Sequence, residues 1–306
     1  MPVGRGEAKQ SLKIMKKILL LGATGMLGNG VYKILKDKYK LVLAVRNPKK
    51  IGLLERAHGD TKNHEVVDFD ASKIFEDFKN KKGHSGEDYL TTFAKKIGNV
   101  AYVINAVGIT VPGSAADPLY AFFINGALPH LFANIYGYKF INITTDCAFN
   151  GREGKYDENS LKSPADVYGL SKIIGEPTNC LNLRTSLIGR ELEGATGLLE
   201  WFLSQKNKRL DGFSNQIWSG ITTTEYGKVC DKIISNPENF PKTGTYHIFG
   251  DAISKYEMLT RLKRKYELDC EIIPVEEPRI NRSLSTIHDF NAKLNIPSFD
   301  EMLKEL

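Results

Sequence analysis

Unbroken apolar runs that alternate with helical segments restrict the fold of this chain more than any other feature. Apolar runs of this kind are typical of strands buried on both faces, and the helical segments between them favour parallel strands with helices on both sides. We therefore predict an α/β fold, a Rossmann-type doubly wound parallel sheet followed by a smaller C-terminal α/β lobe. The predicted strands are residues 17–21, 41–45, 64–67, 100–104, 139–144 and 180–184, and the predicted helices are residues 28–36, 90–97, 116–135 and 167–176.

Composition excludes several other classes of protein. No stretch approaches the ~20 apolar residues of a membrane helix, and 27 glycines plus 12 prolines make 39 of 306 residues, which excludes collagen-like and disordered chains. The net charge of +6 is spread along the chain without a basic run interleaved with aromatic residues, so we expect neither nucleic-acid nor membrane binding. The four cysteines lack the spacing of a zinc site, so we expect no metal and a reducing, cytoplasmic location.

A glycine-rich loop directly follows the first predicted strand and opens a helix. Glycines at this spacing permit a tight turn, close approach of the backbone to a pyrophosphate, and close packing of the helix on the strand. The helix N-terminus then directs free N–H groups and a positive dipole end toward the phosphates. The loop therefore predicts dinucleotide binding, with the contacts made by Gly22, Thr24, Gly25, Met26, Leu27 and Gly28.

The end of the second predicted strand indicates which dinucleotide binds. An acidic residue there would bind the ribose 2′-hydroxyl of NAD. This chain has Arg46 instead, with Lys49 and Lys50 just after it. A guanidinium at this place matches a 2′-phosphate, and no carboxylate is there to repel it. We therefore favour NADP(H) over NAD(H).

Tyr168 and Lys172 are four residues apart, which places them on one face of a predicted helix. A free phenol has a pKa of about 10, too high for easy proton exchange at neutral pH. We expect Lys172 to lower the pKa of Tyr168, so that the phenol exchanges a proton with a carbinol oxygen. Thr145 follows a predicted strand, and its hydroxyl would hydrogen-bond the same oxygen. Thr145, Tyr168 and Lys172 are thus the candidate catalytic residues.

The order of these segments resembles the extended short-chain dehydrogenase/reductase superfamily. Within it, residues 15–284 are most similar to dTDP-4-dehydrorhamnose reductases and related nucleotide-sugar reductases. The matching segments are Asn-Ala-Val-Gly at 105–108, Asn125, Thr-Thr-Asp-Cys-Ala-Phe-Asn-Gly at 144–151, Tyr-Asp-Glu at 156–158, Pro164, Tyr-Gly-Leu-Ser-Lys at 168–172, Gly-Glu at 175–176 and Leu-Arg-Thr-Ser at 183–186.

This resemblance implies an NADPH-dependent reductase of a nucleotide-linked 4-keto-6-deoxy sugar. The cofactor would supply the hydride and Tyr168 the proton, while Lys172 holds the nicotinamide ribose and Thr145 binds the carbonyl oxygen. Asp68 occupies the place where the family contacts adenine, and the other implied cofactor contacts are Phe69, Asn105, Ala106 and Val107. The expected partner is a nucleotide-diphosphate sugar. In this superfamily two copies of the chain commonly pair through a face of four helices, so the resemblance also implies a possible homodimer.

Cys147 departs from the family, which has a tyrosine at this position. The related 4,6-dehydratases have a glutamate here, so its absence argues against dehydration. Epimerase-reductases similar to GDP-fucose synthase carry a cysteine two residues after the catalytic hydroxyl, as Cys147 follows Thr145, although their histidine is missing at 188–191. Two alternatives stay open: an epimerase or epimerase-reductase that uses Cys147, and a catalytically silent NADP-binding regulatory subunit.

The C-terminal part matches the family less closely and is expected to cover the sugar nucleotide. Asp146 and Cys147, beside Thr145, are candidate substrate contacts, as are Gln216, Trp218, Arg279 and Arg282. We expect Trp218 to lie against sugar or base, and Arg279 or Arg282 to meet the diphosphate. The predicted division is a disordered leader or expression remnant (1–14), an NAD(P)-binding Rossmann domain (15–185) and a substrate-binding lobe (186–306), of which about 222–250 returns to the Rossmann domain.

Overall fold

A computed structural model describes residues 15–79 and 85–306, and the predicted leader, 1–14, lies outside the described residues. The central sheet consists of β1 (Lys17–Leu21), β2 (Lys40–Val45), β3 (Glu65–Asp68), β4 (Tyr102–Asn105), β5 (Phe140–Thr145), β6 (Leu181–Thr185) and β11 (Gly244–His247). These strands are parallel and lie in the order β3-β2-β1-β4-β5-β6-β11. The order reverses between β1 and β4, which is the position where doubly wound sheets bind their ligands.

Helices cover both faces of this sheet. Along β1, Ile18 and Leu20 face one apolar core while Leu19 and Leu21 face the other, as alternation along a strand requires. The α-helices of the described residues, in both parts of the chain, are α1 (Met26–Leu35), α2 (Ile51–His58), α3 (Ala71–Lys79), α4 (Ser85–Ile97), α5 (Val111–Ala116), α6 (Pro118–Ala121), α7 (Leu128–Tyr136), α8 (Val167–Ile174), α9 (Leu198–Leu203), α10 (Thr223–Ser235), α11 (Lys255–Tyr266), α12 (Phe290–Leu294) and α13 (Phe299–Lys304). The predicted Rossmann-type α/β fold is confirmed.

Short strands build the C-terminal lobe. They are β7 (Leu187–Ile188), β8 (Arg209–Phe213), β9 (Gln216–Trp218), β10 (Ile221–Thr222), β12 (Ile253–Ser254), β13 (Glu271–Val275) and β14 (Ile280–Asn281). β12, β9 and β14 form a three-stranded sheet with β9 in the middle, and β8 pairs with β13. Residues 222–250, expected to return to the Rossmann domain, contain α10, which packs against α1, and β11, which pairs with β6.

The predicted helix at 116–135 is not one continuous α-helix. α6 gives way to a π-helix, Phe122–Ala127, before α7 begins. The π-turn directs Asn125 inward: its Oδ1 accepts from the Ile109 amide at 2.9 Å, and its Nδ2 donates to the Ile109 carbonyl and to Ser171 Oγ. Asn125 thus joins the loop after β4 to α8. No helix in the described ranges is long and apolar enough to cross a membrane.

Candidate active site

The glycine loop joins the carboxyl end of β1 to the N-terminus of α1. The Gly25 amide donates to the Gly22 carbonyl at 3.0 Å, which closes the turn. A Cβ on residue 28 would lie 2.1 Å from that same carbonyl oxygen, so only glycine lets α1 pack this closely on β1. α1 begins at Met26 without a side-chain cap, which leaves the N–H groups of its first turn available to an anion. The loop therefore fits the pyrophosphate of a dinucleotide.

A cavity of about 270 Å³ lies on the β2 side of the loop. Gly22, Thr24 and Gly25 line it together with Arg46 and Phe69, and it also includes Asp70, Ala71 and Tyr120. Arg46 is exposed at the end of β2, within this cavity. Asp68 does not line the cavity, and its carboxylate pairs with Lys73 at 3.4 Å on the surface. Its neighbours in sequence, Phe69 and Asp70, form that wall instead.

The candidate cleft, as we name it, is a cavity of about 430 Å³ on the other side of the loop. The candidate catalytic residues Thr145, Tyr168 and Lys172 line it with Asp146 and Cys147. Its remaining wall comes from the glycine loop, the segment after β4 and the segment after β6, and includes Gly25, Met26, Leu27, Ala106, Val107, Thr185, Ser186 and Glu191. The fold therefore brings together side chains from positions 145–147, 168 and 172 with the loop at 25–27.

The position of α8 depends on contacts with the end of β5. Asp166 caps α8 by accepting the Gly169 amide at 2.7 Å. A Cβ on residue 169 would lie 2.2 Å from the Cys147 carbonyl oxygen, so a glycine is required for this approach. Lys172 Nζ donates to the Ile143 carbonyl at 2.6 Å. Together these contacts place Tyr168 beside Thr145, the last residue of β5.

Burial dominates the protonation of Tyr168 and Lys172, two of the candidate catalytic residues. It raises the pKa of Tyr168, an effect that the nearby Cys147 increases and a hydrogen bond with Thr145 opposes. Burial also lowers the pKa of Lys172 to about 8, although Glu176 acts in the opposite direction. The expectation that Lys172 lowers the pKa of Tyr168 is therefore wrong, because burial prevails and Lys172 Nζ donates to the Ile143 carbonyl. Tyr168 is held as a neutral phenol, the form that donates a proton.

Asp146 and Cys147 continue from Thr145 into a 3₁₀ turn, Asp146–Ala148. The Thr145 hydroxyl oxygen accepts the Cys147 amide at 3.1 Å, which fixes the direction of the turn. Burial, and then the charge of Asp146, raise the pKa of Cys147 to about 12, while Arg282 opposes them. Burial also raises the pKa of Asp146. Cys147 is consequently a neutral thiol at physiological pH.

Asn105 supports the site from inside the sheet. Its Nδ2 donates to Asn142 Oδ1 at 2.9 Å, and Asn142 Nδ2 donates in turn to Asn182 Oδ1 at 2.9 Å, which forms a buried ladder across β4, β5 and β6. The Asn105 carboxamide oxygen accepts the Val107 amide at 3.0 Å. Asn105 therefore shapes the segment 106–108 that lines both cavities.

The candidate substrate residues of the C-terminal lobe lie in different environments. Gln216 is partly buried on β9, and Arg279 is exposed near β14. Trp218 is only 4% exposed and packs edge-to-face on Phe299, so most of its indole is inside the core. Arg282 Nε donates to the Phe149 carbonyl at 3.0 Å, which brings this side chain to the segment that follows Thr145.

Sequence reasoning missed several residues at the site. Asp70, Ser186 and Glu191 line the two cavities, and Lys255 lies near Asp146 and Cys147. Ser186 carries a recognisable signal, since it ends the Leu-Arg-Thr-Ser segment at 183–186 and lies two residues after the predicted strand 180–184. Lys255 carries none, because it is more than 100 positions from Thr145 in sequence. No cluster of three or more His, Cys, Asp or Glu residues suited to a metal ion occurs within 15–79 and 85–306.

The Rossmann sheet, the glycine loop and the Thr145, Tyr168 and Lys172 arrangement together define a member of the extended short-chain dehydrogenase/reductase superfamily. The model of the RmlD substrate binding domain family matches residues 15–286. The chain belongs to this family, which relates it to nucleotide-sugar reductases and epimerases that are NAD(P)-dependent oxidoreductases. No curated protein sequence matches the chain.

Solved structures share the fold over nearly the whole chain. A dTDP-4-dehydrorhamnose reductase from Clostridium acetobutylicum is 22% identical, with coverage of 94% of this chain and 97% of that one and a TM-score of 0.67. The enzyme of the same name from Bacillus anthracis, in complex with NADP, is 18% identical, with coverage of 95% and 98% and a TM-score of 0.66. A UDP-N-acetylglucosamine 4-epimerase from Methanobrevibacter ruminantium, in complex with UDP-N-acetylmuramic acid, is 16% identical, with coverage of 95% and 96% and a TM-score of 0.69.

The buried amine of Lys172 predicts a specific pH dependence of stability. Its pKa of about 8 in the folded protein is below the ordinary value of 10.5, so the unfolded chain binds more protons between these pH values. The contribution of Lys172 to the free energy of unfolding therefore rises with pH across this window. In urea denaturation, the stability of Lys172→Met relative to the wild type should therefore fall between pH 7 and pH 10, because only the wild type gains stability across this window. The control is Lys62→Met, at a side chain that is 86% exposed; its free energy of unfolding should differ from that of the wild type by the same amount at pH 7 and pH 10. A difference for Lys172→Met that is also the same at both pH values would contradict this account.

Proposed function

We propose that this protein is an NADPH-dependent reductase of a nucleotide-linked 4-keto-6-deoxy sugar. The observation that carries the proposal is the convergence of Thr145, Tyr168 and Lys172 with the glycine loop in one cleft. The nicotinamide, when bound, supplies the hydride. The substrate class is supported by membership of the RmlD substrate binding domain family and by the dTDP-4-dehydrorhamnose reductases that share the fold.

The residues of the cleft have distinct roles in this proposal. Tyr168 Oη donates its proton to the carbonyl oxygen of the substrate as that oxygen gains negative charge. Thr145 Oγ1 donates a hydrogen bond to the same oxygen and stabilises the developing charge. Lys172 orients the nicotinamide ribose from the floor of the cleft. Burial keeps Tyr168 protonated until the carbonyl oxygen accepts its proton, which suits the direction of reduction.

The catalytic role of Tyr168 is tested by removal of its hydroxyl. Tyr168→Phe should lower kcat by about 10²- to 10⁴-fold, the usual contribution of a positioned general acid. The measurement is NADPH oxidation, followed by absorbance, with a panel of nucleotide-linked 4-keto-6-deoxy sugars. Tyr138→Phe, at a tyrosine that is 51% exposed, is the matched control and should retain full activity.

Two outcomes would contradict this proposal. Full turnover by Tyr168→Phe would exclude Tyr168 as the proton donor. A wild-type protein that binds NADPH tightly but oxidises none with any sugar of the panel would favour the regulatory subunit.

The preference for NADPH rests on Arg46, which lines the cavity on the β2 side of the glycine loop. Its guanidinium would pair with the 2′-phosphate of the adenosine ribose. Arg46→Ala should raise KM for NADPH by about 10- to 100-fold, the loss expected for one charge-assisted hydrogen bond, and leave KM for NADH nearly unchanged. Arg56→Ala, at an exposed arginine of α2, serves as the control. Equal effects of Arg46→Ala on both cofactors would contradict the assignment.

An epimerase or epimerase-reductase is the second candidate, because Cys147 also lines the cleft. Its raised pKa makes the thiol a proton donor and not a base. Incorporation of deuterium from solvent at C3 or C5 of the sugar, abolished by Cys147→Ser, would favour this candidate over simple reduction.

A further inference from the structure

The segment between β7 and α9, residues 189–197, lies beside the passage that connects the two cavities. Gly25 of the glycine loop lines both cavities, so a dinucleotide that occupies both of them must pass this residue. Gly189, Glu191 and Gly197 of this segment also line the candidate cleft. We call residues 189–197 the strap.

Both ends of the strap contact the first turn of α1. Asn29, which is only 3% exposed, donates from Nδ2 to the Arg190 carbonyl at 3.0 Å. The same nitrogen also donates to the carbonyl oxygens of Gly25 and Met26, each at 3.0 Å. At the other end of the strap, a Cβ on residue 197 would lie 3.4 Å from Met26 Sδ, so the backbone of Gly197 passes close to this side chain. The strap therefore lies against the turn whose N–H groups are available to the pyrophosphate.

Glu191 joins the two ends of the strap to each other. Its carboxylate accepts hydrogen bonds from the Thr196 hydroxyl at 2.6 Å, from the Thr196 amide at 2.8 Å and from the Gly197 amide at 3.1 Å. Residues 193–196 between these ends are exposed. Because the bonds of Glu191 close the strap into a loop, its exposed tip would move as one unit.

An ion pair connects the tip of the strap to the Rossmann domain. Glu193 pairs with Lys50, the residue directly before α2. Lys50 follows Arg46 by four positions, so this pair is on the β2 side of the glycine loop. The strap thus extends from the candidate cleft, past the first turn of α1, to the connection between β2 and α2.

This ion pair is weaker than the contacts at the base of the strap. The side chains of Lys50 and Glu193 are 45% and 59% exposed, and an ion pair in water contributes little to stability. The bonds made by Asn29 and Glu191 hold the backbone of the strap instead. The tip can therefore separate from the Rossmann domain while the base of the strap stays in place.

We propose that the strap gates exchange of the dinucleotide cofactor and that the ion pair between Lys50 and Glu193 is its latch. The inference rests on binding of a nicotinamide cofactor and goes beyond the proposed reaction, in which neither residue has a role. A latch that closes with and without bound cofactor slows association and dissociation by the same factor, because it raises the barrier between the two states and leaves their difference in free energy unchanged. A residue that contacts the cofactor changes Kd instead.

Stopped-flow fluorescence of the reduced cofactor measures both rates in the absence of any sugar. The association rate constant kon is obtained on mixing the protein with NADPH, or with NADH if the wild type binds NADH more tightly, and the dissociation rate constant koff on displacement by excess oxidised cofactor. Glu193→Gln should raise kon and koff each by about two- to fivefold, the effect expected for one exposed ion pair, and leave Kd unchanged. High salt should remove most of this difference, because screening opens the latch of the wild type as well.

Control variants separate the latch from a general effect of charge. In the Glu193→Gln background, Lys50→Met should change neither rate further, because the ion pair is already absent. Glu276→Gln, which removes an exposed carboxylate elsewhere in the C-terminal lobe, should leave both rates at their wild-type values.

Three results would overturn the proposal: wild-type rates in Glu193→Gln, a change in koff that is matched by an equal change in Kd, or no binding of either reduced cofactor by the wild type. Sugar turnover separates the latch from the proposed function. Latch-dependent exchange without turnover of any sugar counts only against the reductase, and turnover with unchanged exchange rates counts only against the latch.

Discussion

The close docking of α8 on the carboxyl end of β5 is the constraint on which the site depends. Gly169 lets the helix approach the Cys147 carbonyl, and the buried bond from Lys172 Nζ to the Ile143 carbonyl fixes its axial position. A buried hydrogen bond from a charged donor is worth about 1.5–3 kcal/mol, and its loss would leave an unpaired amine in the core. Because Tyr168 is one helical turn before Lys172, this bond also sets the position of the phenol relative to Thr145.

A second set of buried contacts connects the end of α8 to the C-terminal lobe. Glu176 accepts hydrogen bonds from Arg184 of β6 at 2.7–3.2 Å, and Arg184 Nη1 lies 2.7 Å from His247 Nε2 of β11. Since arginine is always protonated and only donates, Nε2 accepts and Nδ1 carries the hydrogen, which points to the Ser285 carbonyl at 2.8 Å. Burial and Arg184 lower the pKa of His247, in agreement with a neutral ring. Ser285, in the C-terminal lobe, is thereby connected to the segment that follows α8.

Six of the seven strands of the central sheet were predictable because they are short, largely apolar runs. The seventh, β11, has the sequence Gly-Thr-Tyr-His and was not predicted, because it is neither a continuous nor an alternating apolar run. Thr145, Tyr168 and Lys172 were also identifiable, since one strand end and one helical repeat place them. What the sequence did not show depends on how the side chains pack. Burial prevails over neighbouring charges in the pKa of Tyr168, and Asp68 pairs with Lys73 outside the cavity on the β2 side. The position of Lys255, 110 residues after Thr145, depends on the pairing of β12 with β9.

Transfer of hydride from the nicotinamide to a sugar carbonyl is the central claim, and isotope labelling tests it most directly. The protein would be incubated with NADPH that carries deuterium at C4 of the nicotinamide and with a nucleotide-linked 4-keto-6-deoxy sugar, and the product analysed by mass spectrometry and NMR. The account predicts one deuterium at C4 of the reduced sugar from one of the two C4-labelled forms of NADPH. Reduced product that contains no deuterium from either labelled form would contradict it.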